Sequence, residues 1–339
     1  MPLQGSSSVS GDAECYCGDK DGNVHSFCYL HDSCGVPRLG SPFPCKYLPY
    51  LLQWRLLDQA SPVASPHPMA NGHGPVLVTA GWNETFSDLK RTLQGLNRHV
   101  KKSNRPVSVM VYDLGLTTEQ WTWLNDLNRR MKLQMELSTF NFNRYPTAVR
   151  DLFNERWKAI VWAETRGKLN RRPFVWIEPG EVPSGNSEGF FAAVEATDTS
   201  VNMDKLLFGV HPMCYDAANE IPFVDVFTDE LEARFPLHKE RAANAKVQLL
   251  RSPLLYFSGN RDGRQVLKWL ALCALDDSDK GCGWQTTQKS ASVAPSAIDV
   301  LVTTLVVDAC GFQSHFFAPP YRCDQLLIRN DTGGKHEEL

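Results

Sequence analysis

Two glutamates that could do chemistry come directly after a short apolar segment. Glu178 follows Phe174–Ile177, which is typical of a buried β-strand, and Glu181 lies three residues further on. A carboxylate at the end of such a strand can ligate a divalent cation, because Mg²⁺ and Mn²⁺ prefer oxygen ligands. Glu178 could equally be a solvated acid in an exposed loop. The segment Glu178-Pro179-Gly180-Glu181 is therefore the first candidate site.

Alternating strand and helix patterns precede this segment. Strand-type runs lie at Val76–Ala80, Val107–Tyr112 and Met135–Phe140. Helical spacing follows at Phe86–His99, at a stretch capped by Thr117 or Thr118, and at Ala148–Ala163. This alternation predicts an α/β fold with a largely parallel sheet and helices on both of its faces.

The C-terminal half continues the pattern less regularly. We expect two further strands and two helices there, at Leu206–Val210, Asp229–Ala243, Leu254–Ser258 and Arg264–Leu275, the first and third being strands. In open sheets of this class ligands bind beyond the carboxyl ends of the strands. That rule selects the segments 79–83, 113–116, 141–143 and 178–181.

Composition excludes several classes of protein. The 339 residues are 42% hydrophobic and 22% charged with a net charge of −3, which are globular values without a protein-wide basic surface for nucleic acid. No apolar run approaches the roughly 18–20 residues of a membrane span. Residues 1–25 show no signal-peptide pattern. Without a G-x-G-x-x-G, a P-loop or a G-x-S-x-G motif, nothing supports Rossmann dehydrogenases, P-loop kinases or ordinary α/β-hydrolases.

The cysteines indicate an oxidising compartment. Five of the ten lie between Cys15 and Cys45, and none forms a recognisable zinc-binding pattern. Disulfides suit this dense cluster, although reduced buried thiols and a metal site stay open as alternatives. The sequons at Asn83 and Asn330 are compatible with a lumenal location.

Several short motifs follow one another in a specific order. The main ones are Val111–Leu116 (VYDLGL), Leu137–Pro146 (LSTFNFNRYP) and Arg156–Lys158 (RWK). Further segments are Pro75–Ala80, Val175–Glu178, Trp269–Leu275, Tyr321–Gln325, and Cys15 and Cys17 with Phe43–Lys46. Together they resemble a metazoan family of uncharacterised, glycosyltransferase-like secretory proteins. Cys323 stands where that family has Tyr, and Glu178 where it usually has Asp.

The resemblance implies a GT-A-like fold, which is a mixed and mostly parallel sheet flanked by helices. A small Cys-rich N-terminal module precedes this fold in the chain. Composition along the chain predicts a disordered leader (1–14), the Cys-rich module (15–58) and a linker or exposed crossing loop (59–74), followed by the GT-A-like domain (75–330) and a tail (331–339). The resemblance also implies a nucleotide-diphosphosugar donor, assistance by Mn²⁺ or Mg²⁺ and a location in the secretory pathway, expected to be the Golgi lumen.

The resemblance gives roles to individual residues, each with a structural alternative. Thr79 would face the nucleobase or ribose, or cap a turn, and Asp113 would bond the same group, or cap the turn before Gly115. Lys158 would meet a phosphate as a point charge, or be a helix-surface lysine. Arg322 is a candidate diphosphate contact. Trp82 could stack on a base or sugar, or be a buried lid residue.

The remaining candidates concern metal and proton transfer. Glu178 and His211 would be metal ligands, although the E-x-x-E spacing after the strand differs from the D-x-D motif usual for the fold. A histidine without partners is otherwise more often structural. Asp324 and Glu181 are the candidate catalytic acids, Asp324 for work on the acceptor or as a base.

Three functions are compatible with these features. The leading one is a glycosyltransferase that moves a sugar from a nucleotide-diphosphosugar to a glycan or protein acceptor, with metal assistance. The alternative is a catalytically inactive lumenal binding or scaffolding relative that has lost the metal motif. A third is a cytosolic α/β enzyme of another class, which ten titratable thiols in native protein would favour.

Overall fold

The computed structural model describes a defined part of the chain. The described residues are 12–31, 37–57, 76–103, 107–130, 134–170, 172–183, 190–193, 210–213, 221–237, 239–244, 249, 253–277, 282, 284, 296–309 and 323–328. Most of the predicted leader, the whole linker 59–74, residues 206–209, Arg322, the Asn330 sequon and the tail lie outside them.

The elements follow the predicted alternation. The strands are β1 (Tyr16–Gly18), β2 (Val24–Ser26), β3 (Leu30–His31), β4 (Arg38–Leu39), β5 (Val76–Gly81), β6 (Ser108–Asp113), β7 (Gln134–Thr139), β8 (Phe174–Ile177), β9 (Val182–Pro183), β10 (Val210–Pro212), β11 (Leu254–Phe257) and β12 (Leu327–Ile328). The helices are α1 (Leu48–Gln53), α2 (Phe86–Ser103), α3 (Thr118–Arg130), α4 (Arg156–Leu169), α5 (Asp229–Arg234), α6 (Lys239–Asn244), α7 (Arg261–Leu275), α8 (Ala297–Ala309) and α9 (Cys323–Leu326).

The central sheet has the strand order β10-β11-β8-β5-β6-β7. Strands β8, β5, β6 and β7 pair in parallel, whereas β11 runs antiparallel to both of its neighbours, β8 and β10. The smaller pairs, β1–β2, β3–β4 and β9–β12, are antiparallel. The predicted α/β fold class, a mixed and mostly parallel sheet with flanking helices, is confirmed.

Both faces of the sheet are buried, because side chains alternate along each strand. Leu77, Val109 and Val175 pack on the side of α2 and α3. Val78, Met110 and Trp176 pack on the opposite side with α4, α7 and α8. Every side chain of β5 and β8 is consequently buried, as their continuous apolar sequences predict.

Two helices differ most from the sequence prediction. Helix α4 begins at Arg156, eight residues after the predicted start at Ala148, because short 3₁₀ turns occupy Thr147–Arg150 and Leu152–Asn154. The predicted acidic helix Asp229–Ala243 is split into α5 and α6. Pro236 lies in the break, and a proline cannot donate the hydrogen bond that a helix interior needs.

The N-terminal cysteines form a disulfide-bonded module, as expected. Cys15 pairs with Cys28 and Cys17 with Cys45, while Cys273 and Cys282 form a third bridge. Cys323 is also disulfide-bonded. Among the residues that the structure describes, no helix has both the length and the apolar character needed to span a bilayer.

Candidate functional site

The carboxyl ends of the parallel strands form one edge, which we call the carboxyl edge. Gly81 pairs with Asp113 and Asp113 with Thr139 at the ends of β5, β6 and β7. Glu178 follows β8, and its backbone N–H donates to the carbonyl of Pro253, 3.0 Å away. The segments that sequence reasoning selected therefore meet at this edge, as the strand-end rule predicts.

A lysine between two glutamates lies at this edge. Lys158 Nζ, in the first turn of α4, donates to Glu155 Oε1 at 2.7 Å and to Glu178 Oε1 at 2.8 Å. Trp176 Nε1 donates to the same Glu178 oxygen at 2.7 Å. We call Glu155, Lys158 and Glu178 the carboxyl-edge triad.

Strand alternation explains why Glu178 meets Lys158. Glu178 lies two residues after Trp176, so both side chains project from the sheet face that α4 covers. Lys158 is 9% exposed and each glutamate 28% exposed, counted over side chains. Burial alone lowers the pKa of Lys158, but the carboxylates of Glu178 and Glu155 outweigh it and raise that pKa above its ordinary value.

Glu155 is the member of the triad that sequence reasoning missed. It precedes α4 with a left-handed backbone, φ 60° and ψ 8°, which non-glycine residues adopt rarely. Its second carboxylate oxygen contacts Ser296 Oγ, just before α8. The sequence signal was the i, i+3 spacing from Glu155 to Lys158, which becomes informative only once α4 is known to begin at Arg156.

Tryptophan rings line the triad. Trp157 packs edge-on against Trp82, with ring centroids 5.8 Å apart, and against Trp176 at 6.1 Å. Lys158 Nζ lies 5.8 Å from the centroid of the Trp157 ring. Trp82 follows β5 and is partly exposed, so it is the member of this group that reaches the surface.

Glu181 has different neighbours from Glu178. The intervening turn docks on α2, where the Gly180 N–H donates to Thr92 Oγ1 at 2.8 Å and to the Asp88 carbonyl at 3.1 Å. Gly180 has φ +96°, and a side chain there would meet Arg91 Nη2 at 2.8 Å. The E-x-x-E spacing thus directs one acid towards α4 and places the other in the turn packed on α2.

Asp113 and Thr79 occupy structural positions. Asp113 Oδ1 accepts hydrogen bonds from the backbone N–H groups of Gly115, at 2.8 Å, and Leu116, at 2.7 Å, which is the turn-capping alternative. Thr79 is fully buried and alternates with Val78, so it faces the α2 side. Its hydroxyl has no hydrogen-bond partner among the described residues. Nucleotide contacts by either residue stay predictions.

The other candidate residues are described in part or not at all. His211 lies in β10 opposite Tyr256 of β11, and Asp324 lies in α9, but their side chains are outside the described part of the chain. Arg322 is wholly outside it. Their predicted roles in metal binding, proton transfer and diphosphate binding therefore stay predictions.

The described side chains at the carboxyl edge do not fit a divalent cation at Glu178. One oxygen of Glu178 already accepts from an ammonium and an indole N–H, and a second cation so close to Lys158 would be repelled. Within the described ranges, no group of three or more His, Cys, Asp and Glu side chains is arranged to hold a metal.

A cavity of about 410 Å³ lies at the opposite edge of the sheet. Its lining includes Val76, Ser108 and Gln134, which begin strands β5, β6 and β7, and Arg172, which precedes β8. Ligand sites of open α/β sheets occur at the carboxyl ends of strands, so the candidate site is the carboxyl-edge triad rather than this cavity.

Part of the chain matches a family that has no assigned function. Residues 15–163 match the sequence model described as "Protein of unknown function (DUF1647)", which covers less than half of the chain. No curated protein matches the chain significantly.

Several solved structures that match parts of the chain are glycosyltransferases. The apo structure of the bifunctional glycosyltransferase WbbM matches 76% of this chain with 10% identity and a TM-score of 0.40, although this chain spans only 39% of WbbM. Core-mannan synthase A (CmsA/Ktr4) from Aspergillus fumigatus, in its Mn/GDP form, matches 73% of this chain and 79% of its own, with 12% identity and a TM-score of 0.32.

The mannosyltransferase Ktr4p from S. cerevisiae matches 67% of this chain and 70% of its own, again with 12% identity and a TM-score of 0.32. At these identities and TM-scores the matches carry neither the fold assignment nor a function. The strand order and layers described above carry the fold assignment.

Proposed function

We propose that this protein is a glycosyltransferase that moves a sugar from a nucleotide-diphosphosugar donor to a glycan or protein acceptor. The observation that carries the proposal is the carboxyl-edge triad with Trp82 beside it. A mostly parallel sheet binds its ligands at this edge, where the triad supplies carboxylates and the nearby Trp82, packed on Trp157, supplies an indole that can contact a sugar.

The chemistry of a sugar suits these groups. Carboxylates are strong hydrogen-bond acceptors for hydroxyl groups, and the partly exposed side chains of Glu178 and Glu155 lie at the edge. The ring of Trp82 offers an apolar surface on which a sugar or a base can pack. A carboxylate held at this position can also accept the proton of an attacking hydroxyl.

The same proposal covers the donor, the acceptor and the location. Asp113, at the end of β6, would lie nearest the base and ribose, while Arg322 and Asp324 would act on the diphosphate and the acceptor. Disulfides such as Cys17–Cys45 support a secretory or lumenal location, and we propose the Golgi lumen.

Isothermal titration with UDP and GDP, in Mn²⁺ and in EDTA, tests donor binding. We expect heat for at least one nucleotide, and a loss of affinity for the corresponding donor sugar in Glu178→Gln. Glu136→Gln is the matched control, because Glu136 is exposed on β7 of the same sheet and lines the cavity at the opposite edge.

Two outcomes would contradict the proposal. No heat for either nucleotide, with or without Mn²⁺, would show that the protein does not bind the proposed class of donor. Binding without release of nucleotide diphosphate, assayed over a panel of donors and acceptors, would instead identify the non-catalytic alternative.

A further inference from the structure

The place between Glu155 and Glu178, where a divalent cation would sit, holds a side chain of the protein itself. We propose that Lys158 is a resident cation, and that its ammonium replaces a metal ion between these two carboxylates. If the protein binds a donor sugar, as the proposed function requires, Glu178 contributes to that binding without a metal.

The geometry of the ammonium is that of a shared cation. Its nitrogen lies 2.7 Å from Glu155 Oε1 and 2.8 Å from Glu178 Oε1. A divalent cation ligates carboxylate oxygens at about 2.0–2.6 Å, so a metal bound to both oxygens would need almost the same position. The ammonium and a metal cannot occupy it together.

Three features keep Lys158 in place. It is almost fully buried in the first turn of α4, and its ammonium lies against the Trp157 ring. Glu155 is directed towards it by the left-handed backbone before the helix. Withdrawing the ammonium would remove its charge from between two neighbouring carboxylates, which is unfavourable because both are partly buried.

The charge of the triad decides what it can bind. One ammonium and two carboxylates sum to −1, whereas a divalent cation between the same carboxylates would make the group neutral. An anionic site attracts hydroxyl donors and repels a diphosphate. The triad therefore meets the hydroxyl groups of a sugar, and Lys158 is not a free phosphate contact.

Direct measurement of Mn²⁺ binding tests the inference without an activity assay. Free Mn²⁺ is followed by electron paramagnetic resonance as MnCl₂ is added to wild type, Glu178→Gln, Lys158→Met and the double variant Lys158→Met/Glu178→Gln. Lys168→Met is the matched control, because Lys168 is on the same helix but bonds to Ser138 Oγ instead of a carboxylate.

We expect wild type and Glu178→Gln to bind Mn²⁺ alike. Lys158→Met removes the ammonium from between two adjacent carboxylates, so Mn²⁺ should bind about tenfold or more tightly than to wild type. This gain should disappear in the double variant and be absent in Lys168→Met. Wild-type binding that Glu178→Gln abolishes, or a folded Lys158→Met without a gain, would overturn the inference.

Two further measurements keep the result decisive. If Lys158→Met does not fold, the comparison of wild type with Glu178→Gln still decides whether Glu178 ligates Mn²⁺. Titration of UDP and GDP in EDTA separates the two proposals. If nucleotide binding requires Mn²⁺ held by Glu178, the inference that Lys158 replaces the metal is wrong, while the transferase proposal stands. If no nucleotide binds under any condition, the transferase fails, while the Mn²⁺ comparison still decides the inference.

Discussion

Glu155 combines an unfavourable backbone with a favourable ion pair. A left-handed conformation costs a non-glycine residue about 1–2 kcal/mol, and the structure keeps it at φ 60°. The position allows its carboxylate to bond both Lys158 and Ser296, thereby linking α4 to the start of α8. Strained residues persist where surrounding contacts hold them, and they cluster at functional sites.

Asp19 stabilises the turn between β1 and β2 through its charge. Its carboxylate accepts hydrogen bonds from the Asn23 side chain, from the backbone N–H groups of Asp21 and Asn23, and contacts His25 Nε2 at 3.1 Å. The hydrogen bonds from Asn23 and His25 hold the pKa of Asp19 well below its ordinary value.

We predict that Asp19→Asn destabilises the protein at neutral pH and that this difference shrinks in acid. Because the folded-state pKa is depressed, the charge contributes fully above the ordinary value of 3.8 and is progressively lost as the pH falls below it. Thermal unfolding of both proteins from pH 7 to pH 2.5 measures the difference.

Asp21→Asn is the control for this series, because Asp21 lies in the same turn with an exposed side chain. Its effect should be small at every pH. A difference for Asp19→Asn that stays constant into acid would show that the contribution of Asp19 does not come from its charge.

The first turn of α4 is braced by neighbouring elements, and this bracing positions Lys158. Arg156 donates from Nη1 to the Asp276 carbonyl, 2.6 Å away, at the end of α7. Arg234 of α5 pairs with the Asp276 carboxylate at 2.8 Å and also donates to the carbonyl of Pro42. The Cys-rich module, α5, α7 and α4 are consequently joined around one aspartate.

Gly40 lies where the module closely approaches α5. A Cβ at this position would lie 1.9 Å from the Arg234 carbonyl oxygen and 2.7 Å from its carbon, both backbone atoms. We predict that Gly40→Ala destabilises the protein by about 1–3 kcal/mol, because α5 or the module must move. Urea unfolding measures this free energy.

Gly18 offers a matched comparison for this substitution. It lies in β1 of the same module, and a Cβ there would have no atom within 4 Å. Gly18→Ala should leave the free energy of unfolding within about 0.5 kcal/mol of wild type. Equal effects of the two substitutions would mean that the contact with Arg234 does not limit the docking.

The bounds of elements with strong apolar patterns could be predicted from the sequence. The bounds of elements whose start depends on a capping residue could not. Strand β8 matches its predicted bounds because its buried residues form a continuous apolar run. The predicted start of α4 was wrong because the turns before the helix carry helix-compatible residues. Glu155, the capping residue at the observed start, belongs to no standard capping pattern.

The candidate site was predicted in position but not in its contacts. The end of β8 identified Glu178, and the Arg156–Lys158 motif identified Lys158. Their ion pair, however, joins residues 20 positions apart and depends on how α4 packs on the sheet. Asp113 is a second example. Its turn cap is a contact with nearby residues in the sequence, whereas any ligand contact would depend on the tertiary structure.

At the scale of the whole molecule, the Cys-rich module packs directly on α7. Aromatic rings form the contact, with Tyr29 5.3 Å and Phe43 6.1 Å from the Trp269 ring of α7. Lys268 of the same helix donates to the Ser26 carbonyl at 2.6 Å. We therefore expect the module and the sheet to unfold together.

The disulfides should set the temperature of this common transition. In the chain-entropy description a bridge stabilises more when it closes a longer loop, about 3–4 kcal/mol for Cys17–Cys45 and about 2–3 kcal/mol for Cys273–Cys282, whose sequence separations are 28 and 9. Replacing Cys17 and Cys45 by alanine should accordingly lower the melting temperature more than the same change at Cys273 and Cys282. Far-ultraviolet circular dichroism and tryptophan fluorescence should report one coincident transition in each variant. Two separate transitions in the Cys17/Cys45 variant would show that the aromatic contact with α7 does not couple the module to the sheet, and that the bridge stabilises the module alone.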